Sequence, residues 1–220
     1  MIRVKVCGIT NWADARAAVE AGADALGFNF YEKSLRRVST ADAAQMRAKL
    51  PPNIEAVGVF VNAKPAEILS LRAFVRFDTA QLHGDETPAA VSQVVQVLPV
   101  IKAFRVEASF SLAKLDEYPD VFAYLLDAAR QDQYGGTGQL TDWAAAARVA
   151  LSRRIILSGG LNVGNVAAAI RAVHPFAVDV ASGVESRPGK KDHSKLQEFI
   201  QQVRRAEQEQ IEQAENHTQA

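Results

Sequence analysis

Two side chains in this sequence are of a type that can exchange a proton and close an extended segment: the lone cysteine, Cys7, and an aspartate, Asp127. Cys7 closes the extended segment Ile2-Arg3-Val4-Lys5-Val6-Cys7. Side chains alternate along a strand, so Arg3, Lys5 and Cys7 share one face and Ile2, Val4 and Val6 the other. The aliphatic face suits packing beneath helices, which turns Lys5 and Cys7 inward. Two readings of the thiol stay open, a small buried packing residue or a reactive thiol whose thiolate Lys5 would favour. The same parity puts Val121, Ala123, Leu125 and Asp127 on one face, so a carboxylate ends that series. It serves either as a helix cap or loop-former, or as a functional group at the barrel mouth.

Further candidates lie at equivalent places along the chain. Gln81 and His83 share a face within Gln81-Leu82-His83-Gly84-Asp85, and His83 is either a proton carrier or a hydrogen-bonded structural histidine. Arg36 stands in Ser34-Leu35-Arg36-Arg37-Val38-Ser39, a solvated loop residue or a planar fork for a carboxylate. Gly136 belongs to the glycine-dense run Tyr134-Gly135-Gly136-Thr137-Gly138, which would let backbone approach a ligand or close over it. The strongest pattern is late in the sequence, in Ser158-Gly159-Gly160-Leu161-Asn162 and Asp179-Val180-Ala181-Ser182-Gly183-Val184-Glu185. Glycines at a strand end expose backbone N–H groups at the next helix start, where an anion is favoured. One such turn is ordinary, but the same arrangement on successive strands predicts a phosphate held between the two turns.

These residues need a scaffold that brings distant strand ends together. Apolar strand-like runs are expected near residues 2–7, 25–30, 56–61, 79–82, 100–104, 121–126, 154–157 and 176–180. Helical patterns follow each, with starts marked by Ser39-Thr40, Pro65, Thr87-Pro88 and Asp142. Eight strand–helix units without a linker predict an α/β protein, a single (β/α)8 TIM barrel over residues 1–205. Chemistry in such barrels sits where strands end on the C-terminal face. An open doubly wound sheet is the alternative, but Gly8-Ile9-Thr10-Asn11 is no dinucleotide-binding turn. Residues 206–220, rich in Glu and Gln, are expected to extend the last helix or to fray as a polar tail.

Composition narrows the partners. Basic and acidic residues balance at 25 each, which argues against nucleic acid, and no apolar stretch approaches a membrane span. One cysteine excludes an internal disulfide, and the start lacks the pattern of a signal peptide, so a soluble cytoplasmic protein is expected. The four histidines are scattered and no Cys/His pair has ligand spacing, so no metal and no cofactor are expected. A small-molecule phosphosugar is the expected partner. Monomer and homodimer both remain open.

Taken in order, Lys5-Val6-Cys7-Gly8-Ile9-Thr10, Gly58-Val59-Phe60-Val61-Asn62, Gln81-Leu82-His83-Gly84, Gly135-Gly136-Thr137-Gly138, Leu157-Ser158-Gly159-Gly160-Leu161 and Asp179 to Glu185 closely resemble the phosphoribosylanthranilate isomerase family. Pro188-Gly189-Lys190-Lys191-Asp192 adds to the likeness, which covers about residues 2–205. The resemblance implies an Amadori rearrangement of N-(5-phosphoribosyl)anthranilate in tryptophan biosynthesis. It implies Cys7 as general base, Asp127 as general acid, Arg36 on the substrate carboxylate, and Gly159, Gly160, Ser182 and Gly183 around the phosphate. Lys5, Gln81, His83, Gly136 and Asp179 join them as substrate-binding positions. Leu35 and Arg37 depart from the family's usual residues there. Two other functions compete: a histidine-pathway isomerase-like barrel, whose first strand closes in a carboxylate rather than Cys7, and a catalytically silent phosphate-binding protein, for which loss of Cys7 or Asp127 would have spoken.

Overall fold

The structure, a computed structural model, describes residues 1–106, 110–111, 113–128 and 142–218. Eight parallel strands close on one another: β1 (Arg3–Cys7), β2 (Ala25–Asn29), β3 (Glu55–Phe60), β4 (Thr79–Leu82), β5 (Val100–Val106), β6 (Ala123–Ala128), β7 (Ile155–Leu157) and β8 (Ala177–Val180). Closure is made by β1 on β8, with Lys5 opposite Asp179. The helices are α1 (Trp12–Ala21), α2 (Thr40–Lys49), α3 (Pro65–Val75), α4 (Pro88–Val95), α5 (Ala113–Asp116), α6 (Trp143–Ala150), α7 (Val166–Val173) and α8 (His193–Thr218). The expected (β/α)8 TIM barrel is the observed architecture.

Local chemistry explains the boundaries. Asn11, Ser39, Thr87 and Asp142 cap α1, α2, α4 and α6 by accepting a backbone N–H three residues on. Pro65 and Pro88 open α3 and α4, where the missing N–H costs nothing. Outward strand residues such as Val4, Val6, Leu26, Phe28 and Leu126 meet the helices in one large apolar cluster. Inward residues form a second, smaller one of Ala25, Val57, Ile101, Ala103, Ala123, Leu125, Ile156 and Ala177. Small side chains fill the barrel there and leave its upper end to polar groups.

Three expectations shift. β6 runs two residues later than expected at both ends, so Asp127 lies within the ladder opposite Arg105 rather than behind it. α7 begins at Val166 instead of about residue 162, because Asn162 and Asn165 turn the chain on themselves: Asn165 Oδ1 accepts from Asn162 N at 2.8 Å, and Asn165 Nδ2 donates to Gly160 O at 3.0 Å. A one-turn 3-10 helix, Ser182–Val184, and a hairpin of β9 (Glu185–Arg187) and β10 (Lys190–Lys191) follow β8 where only a loop was expected. Residues from 206 continue α8. Among the described residues, no helix is long and apolar enough to cross a membrane.

Candidate active site

The C-terminal mouth of the barrel holds a cleft lined by Cys7, Arg36, Gln81, His83, Asp127, Ser158, Gly159, Gly160, Asp179 and Ser182, among others. Nine of the sequence-predicted positions therefore line one cleft, and Lys5 and Gly183 lie against it, Lys5 bonded to Asp179 and Gly183 packed on Leu161. Gly136 and its loop lie outside the described residues. Strand parity accounts for the convergence, since Cys7, Gln81, Asp127 and Asp179 are all inward residues at or near strand ends.

Cys7 sits at the end of β1 with its thiol against β2. A Cβ on Gly27 would come within 2.8 Å of the Cys7 sulfur, so glycine on β2 makes the room the thiol occupies. Beneath it, Lys5 Nζ donates to Asp179 Oδ1 at 2.7 Å, and both side chains are buried. Ser158 Oγ donates to the other carboxylate oxygen at 3.3 Å. Burial is the largest single influence and works against the Lys5 charge, but Asp179 and Cys7 together outweigh it and hold the ammonium above the ordinary lysine range. The thiol goes up as well: burial dominates, Lys5 and Lys191 pull it back in part, and Asp179 adds to the rise. Lys5 is therefore placed where a helper of the Cys7 thiolate was expected, yet in the free site desolvation wins.

Across the mouth, Asp127 is buried and His83 Nε2 lies 3.2 Å from its Oδ2, although not aligned for a hydrogen bond. Gln81, fully buried, meets His83 Nδ1 through its amide nitrogen at 2.9 Å. With the amide assigned as donor, the imidazole proton resides on Nε2 and faces the carboxylate. Gln81 Oε1 is a buried acceptor without a hydrogen-bond partner among the described residues. Such a group in a cleft wall is suited to a ligand's N–H or O–H.

The glycine turns border the cleft. Gly159 and Gly160 line it and take φ of 83° and 67°, a conformation closed to most side chains. Gly183 is fixed by crowding instead: a Cβ there would stand 1.9 Å from the carbonyl oxygen of Leu161, so the loops after β7 and β8 touch through it. Arg36 reaches the cleft from the loop after β2, its stem lying over Gly8, whose Cβ would meet Arg36 Cδ at 2.6 Å. Its fork is already engaged on one side, Nε and Nη2 donating to Glu185 at 2.9 and 2.7 Å. The adjacent Arg37 is exposed and only approaches Glu32, at 3.8 Å. Glu185 and Lys191, buried beside this cluster, were given no role from the sequence. Both stand in the motifs quoted above, and two charged residues beside a glycine were the available signal.

A closed parallel barrel that gathers a thiol, a carboxylate, an arginine and paired glycine turns at its C-terminal mouth has the arrangement of a (β/α)8 enzyme. The model of the N-(5'phosphoribosyl)anthranilate (PRA) isomerase family matches residues 4–202, and the chain belongs to that family. A relative named N-(5'-phosphoribosyl)anthranilate isomerase, from Pelobacter propionicus, is 50% identical over 200 residues, covering 91% of this chain and 94% of its own. The crystal structure of phosphoribosyl anthranilate isomerase from Thermotoga maritima is 44% identical, with a TM-score of 0.87 and coverage of 93% of this chain and 99% of that one. Another structure of the enzyme, in complex with reduced 1-(o-carboxyphenylamino)-1-deoxyribulose 5-phosphate, is 42% identical with a TM-score of 0.84, covering 93% and 99%.

Proposed function

We propose that the chain carries out its family's isomerisation at this mouth, with Cys7 as base and Asp127 as acid. It is an isomerase of tryptophan biosynthesis, converting N-(5'-phosphoribosyl)anthranilate to 1-(2-carboxyphenylamino)-1-deoxyribulose 5-phosphate. The observation that carries the residue assignment is the placing of a thiol and a carboxylate on separate strands, β1 and β6, lining one cleft with the glycine turns after β7 and β8.

The chemistry follows from what each group offers. Asp127 donates a proton to the furanose ring oxygen as the anilino nitrogen pushes electrons into C1′, and the C1′–O bond breaks to give an open iminium. Cys7 removes the proton from C2′, and the electron pair moves into the C1′–C2′ bond to give an enolamine. Tautomerisation, with a proton added at C1′ and one lost from the 2′-hydroxyl, gives the ketone. Arg36 receives the anthranilate carboxylate through its unused edge. The amides of Gly159, Gly160 and Gly183, with Ser182, hold the phosphate. Lys5 favours the developing thiolate and is itself anchored by Asp179, while His83 and Gln81 line the floor beside Asp127 and Gly136 is assigned to substrate binding. The same proposal gives residues 1–205 to the catalytic barrel and none of the site to 206–220.

The test uses substrate formed from anthranilate and ribose 5-phosphate, whose fluorescence is lost on rearrangement. Cys7→Ala and Asp127→Asn are each expected to lower kcat by about 10²–10⁴-fold, the usual worth of a positioned acid or base. Near wild-type turnover in either variant removes that residue from its role.

A further inference from the structure

Glu185 is the least expected member of the mouth, a carboxylate in a site that has to receive a carboxylate. Its side chain is 4% exposed, Lys191 beside it 0% and Arg36 14%. Glu185 Oε2 accepts from Arg36 Nη2 at 2.7 Å. Oε1 accepts from Arg36 Nε at 2.9 Å, from Lys191 Nζ at 3.1 Å and from the amide of Gly189 at 3.3 Å. A guanidinium has two edges able to grip a carboxylate with paired parallel bonds, the side edge of Nε and Nη2 and the end edge of Nη1 and Nη2. Glu185 takes the side edge. Among the described residues, no hydrogen bond engages Nη1.

The hairpin that carries Glu185 is itself anchored. Lys191 uses all three ammonium hydrogens: one on Glu185, one on the carbonyl of Cys7 at 2.7 Å, and one on the carbonyl of Ala181 at 3.1 Å. One buried cation thus joins the end of β1, the turn after β8 and the arm of Arg36. At the root, the buried Asp14 of α1 accepts from Lys191 N at 2.9 Å and contacts His193 Nε2 at 2.8 Å. At the tip, Thr10 Oγ1 donates to Gly189 O at 2.6 Å. Gly189 has φ of 77°, and a Cβ there would lie 3.1 Å from Leu35 O, so the tip is pressed on the loop of Arg36. Charge matches the geometry as well. Arg36 and Lys191 bring two positive charges against the one negative charge of Glu185, which leaves one for an incoming monoanion.

We propose that Glu185, clamped by Lys191, is a positioning residue that sets substrate preference by locking the side edge of Arg36 so that its end edge faces the aryl carboxylate. This rests on the assignment of Arg36 to that carboxylate. The role is one of orientation, since Glu185 would repel the ligand if it touched it.

The test compares the anthranilate substrate with the condensation product of aniline and ribose 5-phosphate, which lacks the carboxylate, using Arg36→Met, Glu185→Gln and the double variant. Product formation is followed chromatographically, and kcat and KM are separated. Glu185→Gln replaces one paired acceptor by a donor, so the fork tilts. The ratio of kcat/KM for the two substrates is expected to fall about tenfold or more, mostly through KM of the carboxylated one. The double variant is expected to have the ratio of Arg36→Met alone, because Glu185 acts on the preference between the two substrates only through Arg36. An unchanged ratio in Glu185→Gln, or an equal loss on both substrates, overturns the proposal when Arg36→Met loses the preference. A preference that survives Arg36→Met overturns the carboxylate assignment itself.

Discussion

Replacing Lys5 by Met tests whether the floor of the site is held by charge. The ammonium is 2.7 Å from Asp179 Oδ1, with side chains 4% and 5% exposed, so neither group has water to fall back on. Breaking a buried pair by removing one partner typically costs about 3–5 kcal/mol, because the survivor keeps its desolvation cost without its attraction. Asp179 retains the Ser158 hydroxyl at 3.3 Å, which places Lys5→Met at the low end, about 3 kcal/mol. Asp179→Asn is expected to cost a similar amount, and Lys5→Met/Asp179→Asn less than the sum by about 2 kcal/mol, since the double variant strands no charge. Urea denaturation of the four proteins at neutral pH, followed by tryptophan fluorescence, gives the coupling. Single losses below about 1 kcal/mol that simply add would refute the reasoning, because that is the behaviour of a solvent-screened pair.

Other outcomes follow from the same contacts. Burial pushes the Cys7 thiol up, so in the free enzyme kcat/KM is expected to climb with pH on the alkaline side of the ordinary thiol range; with one cysteine in the chain, the ultraviolet thiolate absorbance that Cys7→Ser removes reads that group, the tyrosines being common to both proteins, and an ordinary or lowered midpoint would contradict it. Gly183→Ala would set a Cβ 1.9 Å from Leu161 O and push the two glycine turns apart, which is expected to raise KM about tenfold or more and weaken inhibition by inorganic phosphate. Asp14 is buried, which alone would raise its pKa, but hydrogen bonds from Lys191 N, His193, Asn11 and Lys190 outweigh this and hold it below the ordinary range. Near and below about pH 4 the unfolded chain then binds more protons than the folded one, so the stability Asp14 contributes is present above that pH and lost as pH falls through the depressed value. In Asp14→Asn, acid unfolding should begin from a lower stability at neutral pH and show a shallower slope across that window.

Much of this site could be read from the chain because period-two alternation survives any tertiary context. Once Ile2, Val4 and Val6 face the helices, Lys5 and Cys7 have only the barrel interior left, and the same holds for Gln81 and Asp127. Cap residues and prolines act locally too, so α3 and α4 begin where Pro65 and Pro88 say. The shifts came where neighbours decide. β6 extends to Ala128 because Arg105 and Val106 of β5 offer ladder partners at that level, which the sequence of β6 does not contain. α7 starts late because two asparagines bond the turn of Gly160 rather than the helix.

The carboxylate arm was the least legible part, for a physical reason. A guanidinium's usefulness depends on which edge is free, and that is fixed by groups 149 and more residues away that meet Arg36 only after the barrel closes. Three glycines carry the trace of that meeting. Gly8 lets the Arg36 stem cross the end of β1, Gly189 lets the hairpin tip press on Leu35, and Gly27 clears space for the thiol that the Lys191 hub adjoins. None of these declares its partner in the sequence, since an absent side chain does not say what fills its place. The proposed base and the proposed carboxylate grip are thus joined by one buried cation, Lys191, bonded to the backbone of Cys7 and the side chain of Glu185 alike. A change at Glu185 that frees Lys191 would therefore reach the position of Cys7 as well. For that reason the two-substrate ratio, rather than the loss of rate, is the quantity that separates orientation of Arg36 from disturbance of the base.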